Sequence, residues 1–390
     1  MDNLIYLDNA ATSFPKPEET YVFMDSFYRS HGVNPGRSGF DLCMETGRLV
    51  DDTRKQLTRF FNGTDHNRLV FSYNSTDALN LALFGLLREG DHAVTTTIEH
   101  NSVLRPLHHL ATRHGVEVDH VPFDARGFVD PDAIRARIRK NTRVVAVNHA
   151  SNVIGTVQPV GDIGRLCRER GIHLVVDASQ TAGKIPIDVR ASNIDVLCFT
   201  GHKSLMGPTG IGGMYVQEHV EIRHTRAGGT GVRSAQRAHL DEYPWRMEYG
   251  TPNVAGIAGL HAGVKWLQDR GLEAIEAHEM GLMRMLVDGL REIPGVRLYC
   301  QDDLTNHIAV MMFNVEGFEA GNTGTILDVD YNIACRTGLH CAPIVHEQLG
   351  TDKVQGGVRF GIGPFNTEAH IQAAIEGVRE IAEARAVITT

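Results

Sequence analysis

A chain of 390 residues is longer than one hydrophobic core usually serves, so two domains are expected. It is 42% hydrophobic and 22% charged, as ordinary globular proteins are, and its net charge of -9 argues against nucleic acid or an anionic membrane as the main partner. No apolar run is long enough to span a bilayer and residues 1–6 lack a secretory pattern, so a cytoplasmic protein is expected. The six cysteines, at 43, 167, 198, 300, 335 and 341, include no CxxC pair. That scatter fits free thiols in a reducing compartment, and no metal site is expected.

Residues 6–17 are small and polar and are broken by Pro15 and Pro17, while 31–39 reads as an irregular loop. Leu42, Leu49, Val50, Leu57, Phe60 and Phe61 recur at helical spacing and predict an amphipathic helix over 41–61. A strand at 69–71 follows, then a Leu-rich helix opened by Ser75-Thr76-Asp77 and running to Leu87. Hydroxyls and free amides at that start suit an anion, although a plain N-cap explains them as well. Further strands are predicted at 92–97, 116–123, 144–147 and 172–176, with helices between them; one begins at Asp130-Pro131 and another near 162. An apolar run at 196–199 then leads to Lys203 and a glycine-rich turn holding Gly207, Gly210, Gly212 and Gly213.

Strands and helices alternating at this length predict an α/β fold with a mostly parallel sheet between helices, whose ligands gather at the C-terminal strand ends. Ser75, His100, Asn152, Asp177 and Lys203 all follow strands there. After Pro252 the texture changes to helices over 255–267 and 273–293, strands at 296–299 and 308–313, and a closing helix over 368–384. These predict a smaller α+β domain that begins within a helix near residue 260.

A lysine at the end of a buried strand is costly as an ammonium, so its pKa should fall, and such an amine can form a Schiff base with an aldehyde cofactor. Lys203 alone could equally be a solvated lysine. Asp177 changes the reading, because a strand-end carboxylate keeps a pyridinium nitrogen protonated. In the smaller domain Cys341 sits in a Gly-containing loop, where it is either a structural turn residue or a nucleophile. Arg336 and His340 could give it a cationic setting if they point inward. Arg359, on an otherwise apolar strand, needs an anion: a bidentate ligand carboxylate or a structural Asp or Glu.

The motifs LDNAAT (7–12), NSTDALN (74–80), EHNS (99–102), HASNVIGT (149–156) and DASQTAG (177–183) occur in this order. TGHKSLMGPTG (200–210), GGTG (228–231), EYGTPN (248–253), RTGLHCAP (336–343) and VRFGIGPFNT (358–367) follow. With them the chain resembles the cysteine desulfurases of the class V aminotransferase group, fold type I pyridoxal phosphate enzymes, over essentially its whole length. The resemblance implies an aspartate aminotransferase-like large domain, residues 18–260, with a mostly parallel seven-stranded sheet. It implies a small α+β domain, residues 1–17 and 261–390, that carries the cysteine loop.

For the site, the resemblance implies that Lys203 carries pyridoxal 5'-phosphate, Asp177 pairs with its ring nitrogen, and Gln180 and Asn152 lie near its phenolate oxygen. His100 would stack on the ring and act in catalysis. Ser75, Thr76, Thr200 and His202 would hold the phosphate, with Thr230 from the other subunit of a homodimer. Arg359 would bind the substrate carboxylate, with Asn9 and Ala11 lining the pocket. Cys341 would accept sulfur from L-cysteine as a persulfide, leaving alanine. The short loop from Arg336 to Cys341 resembles group II desulfurases, which implies a sulfur-acceptor protein, for example in iron–sulfur cluster assembly. Leu339 and Phe365 depart from the common His and Tyr, and Cys335 is an extra thiol expected to be a buried strand residue. Other readings of the same motifs are a selenocysteine lyase acting on L-selenocysteine, another C–S lyase, or an aminotransferase for which Cys341 is incidental.

Overall fold

The computed structural model describes residues 4–35 and 38–388. Its strands are β1 (Ile5–Tyr6), β2 (Leu69–Ser72), β3 (His92–Thr96), β4 (Glu117–Val121), β5 (Thr142–Asn148), β6 (His173–Asp177), β7 (Val196–Thr200) and β8 (Gly212–Val216). Five more follow: β9 (Val296–Leu298), β10 (Val310–Val315), β11 (Ile333–Ala334), β12 (Arg336–Gly338) and β13 (Gly357–Gly361). The helices of the first part are α1 (Glu18–His31), α2 (Asp41–Phe60), α3 (Ser75–Leu86), α4 (Asn101–His114), α5 (Pro131–Arg135) and α6 (Val160–Arg170). Those of the second are α7 (Val254–Arg270), α8 (Leu272–Arg291), α9 (Ala320–Tyr331), α10 (Pro343–Leu349) and α11 (Glu368–Ile388).

The large sheet has the order β2-β8-β7-β6-β5-β3-β4, with β7, β6, β5, β3 and β4 parallel. Both of its faces are covered, which is why its central strands read as continuous apolar runs. The period of two still shows in where each side chain goes. Val145, Val147, Leu174, Val176, Leu197 and Phe199 enter one core, whereas Val144, Ala146, Val175, Val196 and Cys198 enter the other. In the second core they meet Ala78, Leu79, Ala82 and Leu83 of α3, which Asn74 caps by accepting the Asp77 amide at 3.0 Å. Each fully buried leucine of this kind contributes about 1.5–3 kcal/mol.

One strand of the large sheet was hidden from the sequence reading, which puts Gly212 and Gly213 in a turn; they open β8, antiparallel between β2 and β7. A Cβ at Gly212 would lie 2.7 Å from the Asn74 Cα, and one at Gly213 2.4 Å from the Val70 carbonyl oxygen. Close approach of the β2–α3 turn therefore demands glycine, and glycine erases the apolar pattern that marks a strand.

A separate core gathers Leu7 with Met283, Leu286, Leu290, Met311, Phe313, Phe360, Ile371, Ile375 and Val378. Its sheet, β12-β13-β10-β9, is antiparallel, and β1 pairs in parallel with β11. Between the two regions Lys184, just after β6, makes a buried ion pair with Glu279 of α8 and donates to the Ile362 carbonyl at 3.0 Å. Both side chains are less than 5% exposed. Removing one partner strands the other charge without water, so Lys184→Met should destabilise the protein by about 3–5 kcal/mol. The double variant Lys184→Met/Glu279→Leu should recover most of that, read as the midpoint of urea unfolding. Equal midpoints for the single variant and the wild type would refute the assignment.

Candidate active site

A cavity of about 250 Å³ opens at the C-terminal ends of the parallel strands. Ala11, Ser75, Thr76 and His100 line it, together with Asn152, Asp177, Gln180, Thr200, His202, Lys203 and Arg359. Three residues named from sequence lie elsewhere: Asn9, Cys341 and Thr230.

Asp177 ends β6 at 5% exposure, and its Oδ1 accepts from the Ser75 hydroxyl (3.1 Å) and the Ser179 amide (2.9 Å). Lys203 follows β7. Burial lowers its pKa to about 8, Asp177 works against that fall, and the guanidiniums of Arg359 and Arg336 add to it. The peptide that carries Lys203 is clamped by the N-terminal segment. The Ser13 hydroxyl donates to the Lys203 carbonyl (2.8 Å), the Thr12 hydroxyl donates to the His202 carbonyl (3.0 Å), and Lys16 Nζ donates to that same carbonyl. Burial brings Lys16 down to about 7.

On the cavity wall, α3 starts with Ser75 and Thr76, and free amides at a helix start beside two hydroxyl side chains suit a phosphate. Thr200 Oγ1, His202 Nδ1 and Asn152 Oδ1, on residues that line the cavity, are buried without any hydrogen-bond partner. Unpaired polar atoms are costly unless a ligand completes them, so this set fits a phosphorylated heteroaromatic cofactor. The Gln180 amide donates to the Ala10 carbonyl at 2.9 Å, which fixes its orientation on the wall. His100 caps α4, and its Nδ1 accepts the Ser102 amide at 3.0 Å, so the neutral ring carries its hydrogen on Nε2. Burial and the nearby Lys203 charge lower its pKa to about 4.

Arg359 is fully buried on β13. Its Nη2 donates to Asp8 Oδ1 (2.7 Å) and its Nη1 to the Asn152 carbonyl (2.9 Å), while Nε has no partner. A structural carboxylate thus does take one edge of the guanidinium. Its direct cross-strand neighbour is Arg336 of β12, also on the cavity wall. Like charges opposite each other repel, so this pair favours an anion between the strands and solvent. Asn9 supports the wall from behind: its amide donates to the Gly361 carbonyl (3.1 Å) and to Asn366 Oδ1 (3.2 Å).

Cys341 lines an adjoining cavity of about 530 Å³ that shares Thr76, His100 and Ser102 with the first. Arg336 Nη2 lies 3.4 Å from its Sγ, and the Asn101 amide of α4 donates to its carbonyl at 2.7 Å. His340 and Cys341 both have left-handed backbones, with φ of 49° and 58°. His340 does not supply the cationic setting expected of it: it is 2% exposed, and burial pushes its pKa well below the ordinary value, so the ring is neutral. Arg336 is the charged group that hydrogen-bonds the thiol, and the Arg359 charge also reaches it. Thr230 borders a third cavity with Tyr73 and Trp245, away from Lys203. Cys335, between β11 and β12, packs partly buried against the smaller core, and burial raises its thiol to about 12.

The sequence reading missed Asp8 and Glu99 as working groups. Glu99 is fully buried, accepts from Thr96 Oγ1 (2.6 Å) and the Asn148 amide (3.0 Å), and is pushed by burial to about 8. Both residues stand inside quoted motifs, LDNAAT and EHNS, which was the available signal.

The profile of the family Aminotransferase class-V matches residues 5–374. A probable cysteine desulfurase of Methanothermobacter thermautotrophicus is 34% identical over 383 residues, which cover 97% of this chain and 94% of that protein. Among solved structures, the apo cysteine desulfurase of Thermococcus onnurineus superposes with a TM-score of 0.92 at 33% identity, covering 98% of this chain and 96% of that one. The Escherichia coli cysteine desulfurase CsdA, solved as an S-sulfonic acid, gives 0.87 at 30% identity with the same coverage. Matched from near one end to the other in both sequence and fold, this chain belongs to the class-V aminotransferase family and, within it, to the cysteine desulfurases.

Proposed function

We propose that the protein converts L-cysteine to L-alanine with pyridoxal 5'-phosphate, holding the sulfur as a persulfide on Cys341 before passing it to an acceptor. The observation that carries this reading is the Cys341 thiol, 3.4 Å from Arg336, in a chamber that shares a wall with the Lys203–Asp177 cavity. An aminotransferase would use Lys203, Asp177 and Arg359 equally and would have no use for that thiol.

Ser75, Thr76, Thr200 and His202 would hold the cofactor phosphate, Asp177 its ring nitrogen, Gln180 and Asn152 its ring oxygen, and His100 would lie against its face. When bound, the cofactor withdraws electrons from the substrate's α-carbon and so acidifies the proton there. Lys203, uncharged above about pH 8, takes that proton and later returns one. Arg359 would receive the substrate carboxylate, with Arg336 adding charge beside it and Ala11 completing the wall that Asn9 supports. The Cys341 thiolate then attacks the substrate sulfur: an S–S bond forms, the C–S bond breaks, and its electron pair stays with the carbon fragment. That fragment takes up a proton and leaves as alanine.

L-selenocysteine would enter by the same contacts and is included as a second substrate. The same reading takes residues 18–260 as the cofactor-binding domain and 1–17 with 261–390 as the smaller one. It includes a homodimer, supported by exposed Phe40, Leu42, Met44 and Tyr73, in which Thr230 would reach the other subunit's phosphate. A sulfur-acceptor protein is supported by the short, pinned Cys341 loop, which cannot carry sulfur far. No described helix is long and apolar enough to cross a membrane, and the reading places the protein in the cytoplasm.

Incubated with L-cysteine, the purified enzyme should yield alanine and a Cys341 peptide heavier by one sulfur atom, both lost in Cys341→Ala. Pyruvate, ammonia and free sulfide retained in that variant would instead identify a lyase, and no cysteine turnover would favour transamination.

The lysine offers a separate check. Its neutral amine is present above its folded pKa, so in the cofactor-free enzyme reductive alkylation of Lys203 by a small aldehyde should reach half its maximum near pH 8, below the ordinary 10.5. Asp177→Asn removes the charge that favours the ammonium and should move the midpoint lower. A midpoint near that of surface lysines, followed by peptide mass spectrometry, would sink this assignment.

A further inference from the structure

Behind the Cys341 loop lies a row of polar side chains that the reaction does not touch. His346 of α10 is fully buried and His340 nearly so. Thr351 Oγ1 lies 2.8 Å from His346 Nδ1, His346 Nε2 lies 3.4 Å from His340 Nδ1, and His340 Nε2 lies 3.4 Å from the Arg336 carbonyl oxygen.

The last atom of the row sets where His340 carries its hydrogen. A carbonyl oxygen only accepts, so His340 carries its hydrogen on Nε2. Burial disfavours a second proton on either ring, lowering His346 to about 4 and His340 well below its ordinary value. Arg336 and Arg359 face His340 and add to that effect, whereas Asp352 and the Leu339 backbone face His346 and oppose it. His340 Nδ1 is therefore a bare acceptor that needs the Nε2–H of His346. That leaves His346 Nδ1, at 2.8 Å, as the nearer acceptor of the Thr351 hydroxyl, with the His346 carbonyl oxygen at 3.5 Å. Moving the hydrogen to the other nitrogen of either ring would set two donors or two acceptors against each other.

The row ends on the turn that matters. Arg336 donates to Cys341 Sγ from its side chain while its carbonyl receives His340, and Asn152 holds the His340 carbonyl at 2.7 Å. Two successive non-glycine residues with left-handed backbones persist only where their surroundings over-determine them.

We propose that His346 and Thr351 are positioning residues for the sulfur-accepting step: through His340 they hold the Arg336–Cys341 turn in the shape that sets guanidinium against thiol. The proposal rests on the reading of Cys341 as sulfur acceptor.

The test uses the holoenzyme with L-cysteine, and the wild type is examined first for its Cys341 persulfide; its absence would sink both that reading and this proposal. With it present, His346→Leu should lower kcat about tenfold, the scale of one lost hydrogen bond that matters in the transition state. KM for L-cysteine should stay unchanged, because Arg359, Asp177 and Lys203 are untouched. His346→Gln, which restores a donor where Nε2 stood, should recover most of the loss. Thr351→Val should act in the same direction and Thr351→Ser should not, and this pair decides the matter if His346→Leu fails to fold. Nitrogen-15 spectra of histidine-labelled protein should show both rings neutral with hydrogen on Nε2. Wild-type kcat in His346→Leu, a Gln variant as poor as Leu with KM raised in both, or an Nδ1–H tautomer at His346 would overturn the proposal.

Discussion

An excess of positive charge around one cavity governs this molecule. Arg336 and Arg359 face each other across two strands, and the Lys203 amine lines the same small cavity. Asp177 and Asp8 answer them only in part, and low polarizability inside the protein magnifies what is left over. Such a cavity favours anions, and it does so at two places: at the α3 terminus and along the arginine edge. A phosphorylated cofactor and an amino-acid carboxylate are the two groups that balance the account. Burial lowers the affinity of Lys203 and His100 for protons, and the neighbouring positive charges add to the fall, so the chemistry of both side chains follows from where the fold puts them.

What could be read from the sequence was whatever the chain states locally. Asp177 and Lys203 each close an apolar run, so burial of the strand and exposure of its end are written within a few residues. The cap at Asn74 and the Pro131 helix start are equally local. The Asp8–Arg359 pair spans 351 residues and leaves no periodic trace. β8 vanished because the crowding that requires glycine also removes the side chains that announce a strand. His340 misled for a different reason: its distance from Cys341 is visible in sequence, but the burial that keeps its ring neutral is not. His346, on a short helix, looked like any other polar residue.

The cysteine turn belongs to both regions of the molecule. Asn101 of α4 holds one of its carbonyls and Asn152, just after β5, holds the other, while β12 and β13 supply its strand framework. Backbone shape, charge at sulfur and the position of the shared wall are therefore set by one network rather than adjusted separately.

Near the N-terminus the chain does something further. Leu7 is packed in the smaller core, Asp8 grips Arg359, and Thr12, Ser13 and Lys16 close on the carbonyls around Lys203, all within ten residues of continuous backbone. Mechanically this stretch is a tie rod. Covalent bonds stretch far less than packed side chains slide, so a shift of the smaller core relative to the large sheet arrives at the lysine as a displacement of its peptide. The distance between amine and arginine is then set largely by the length of one short peptide, and it holds even where the surrounding side chains rearrange.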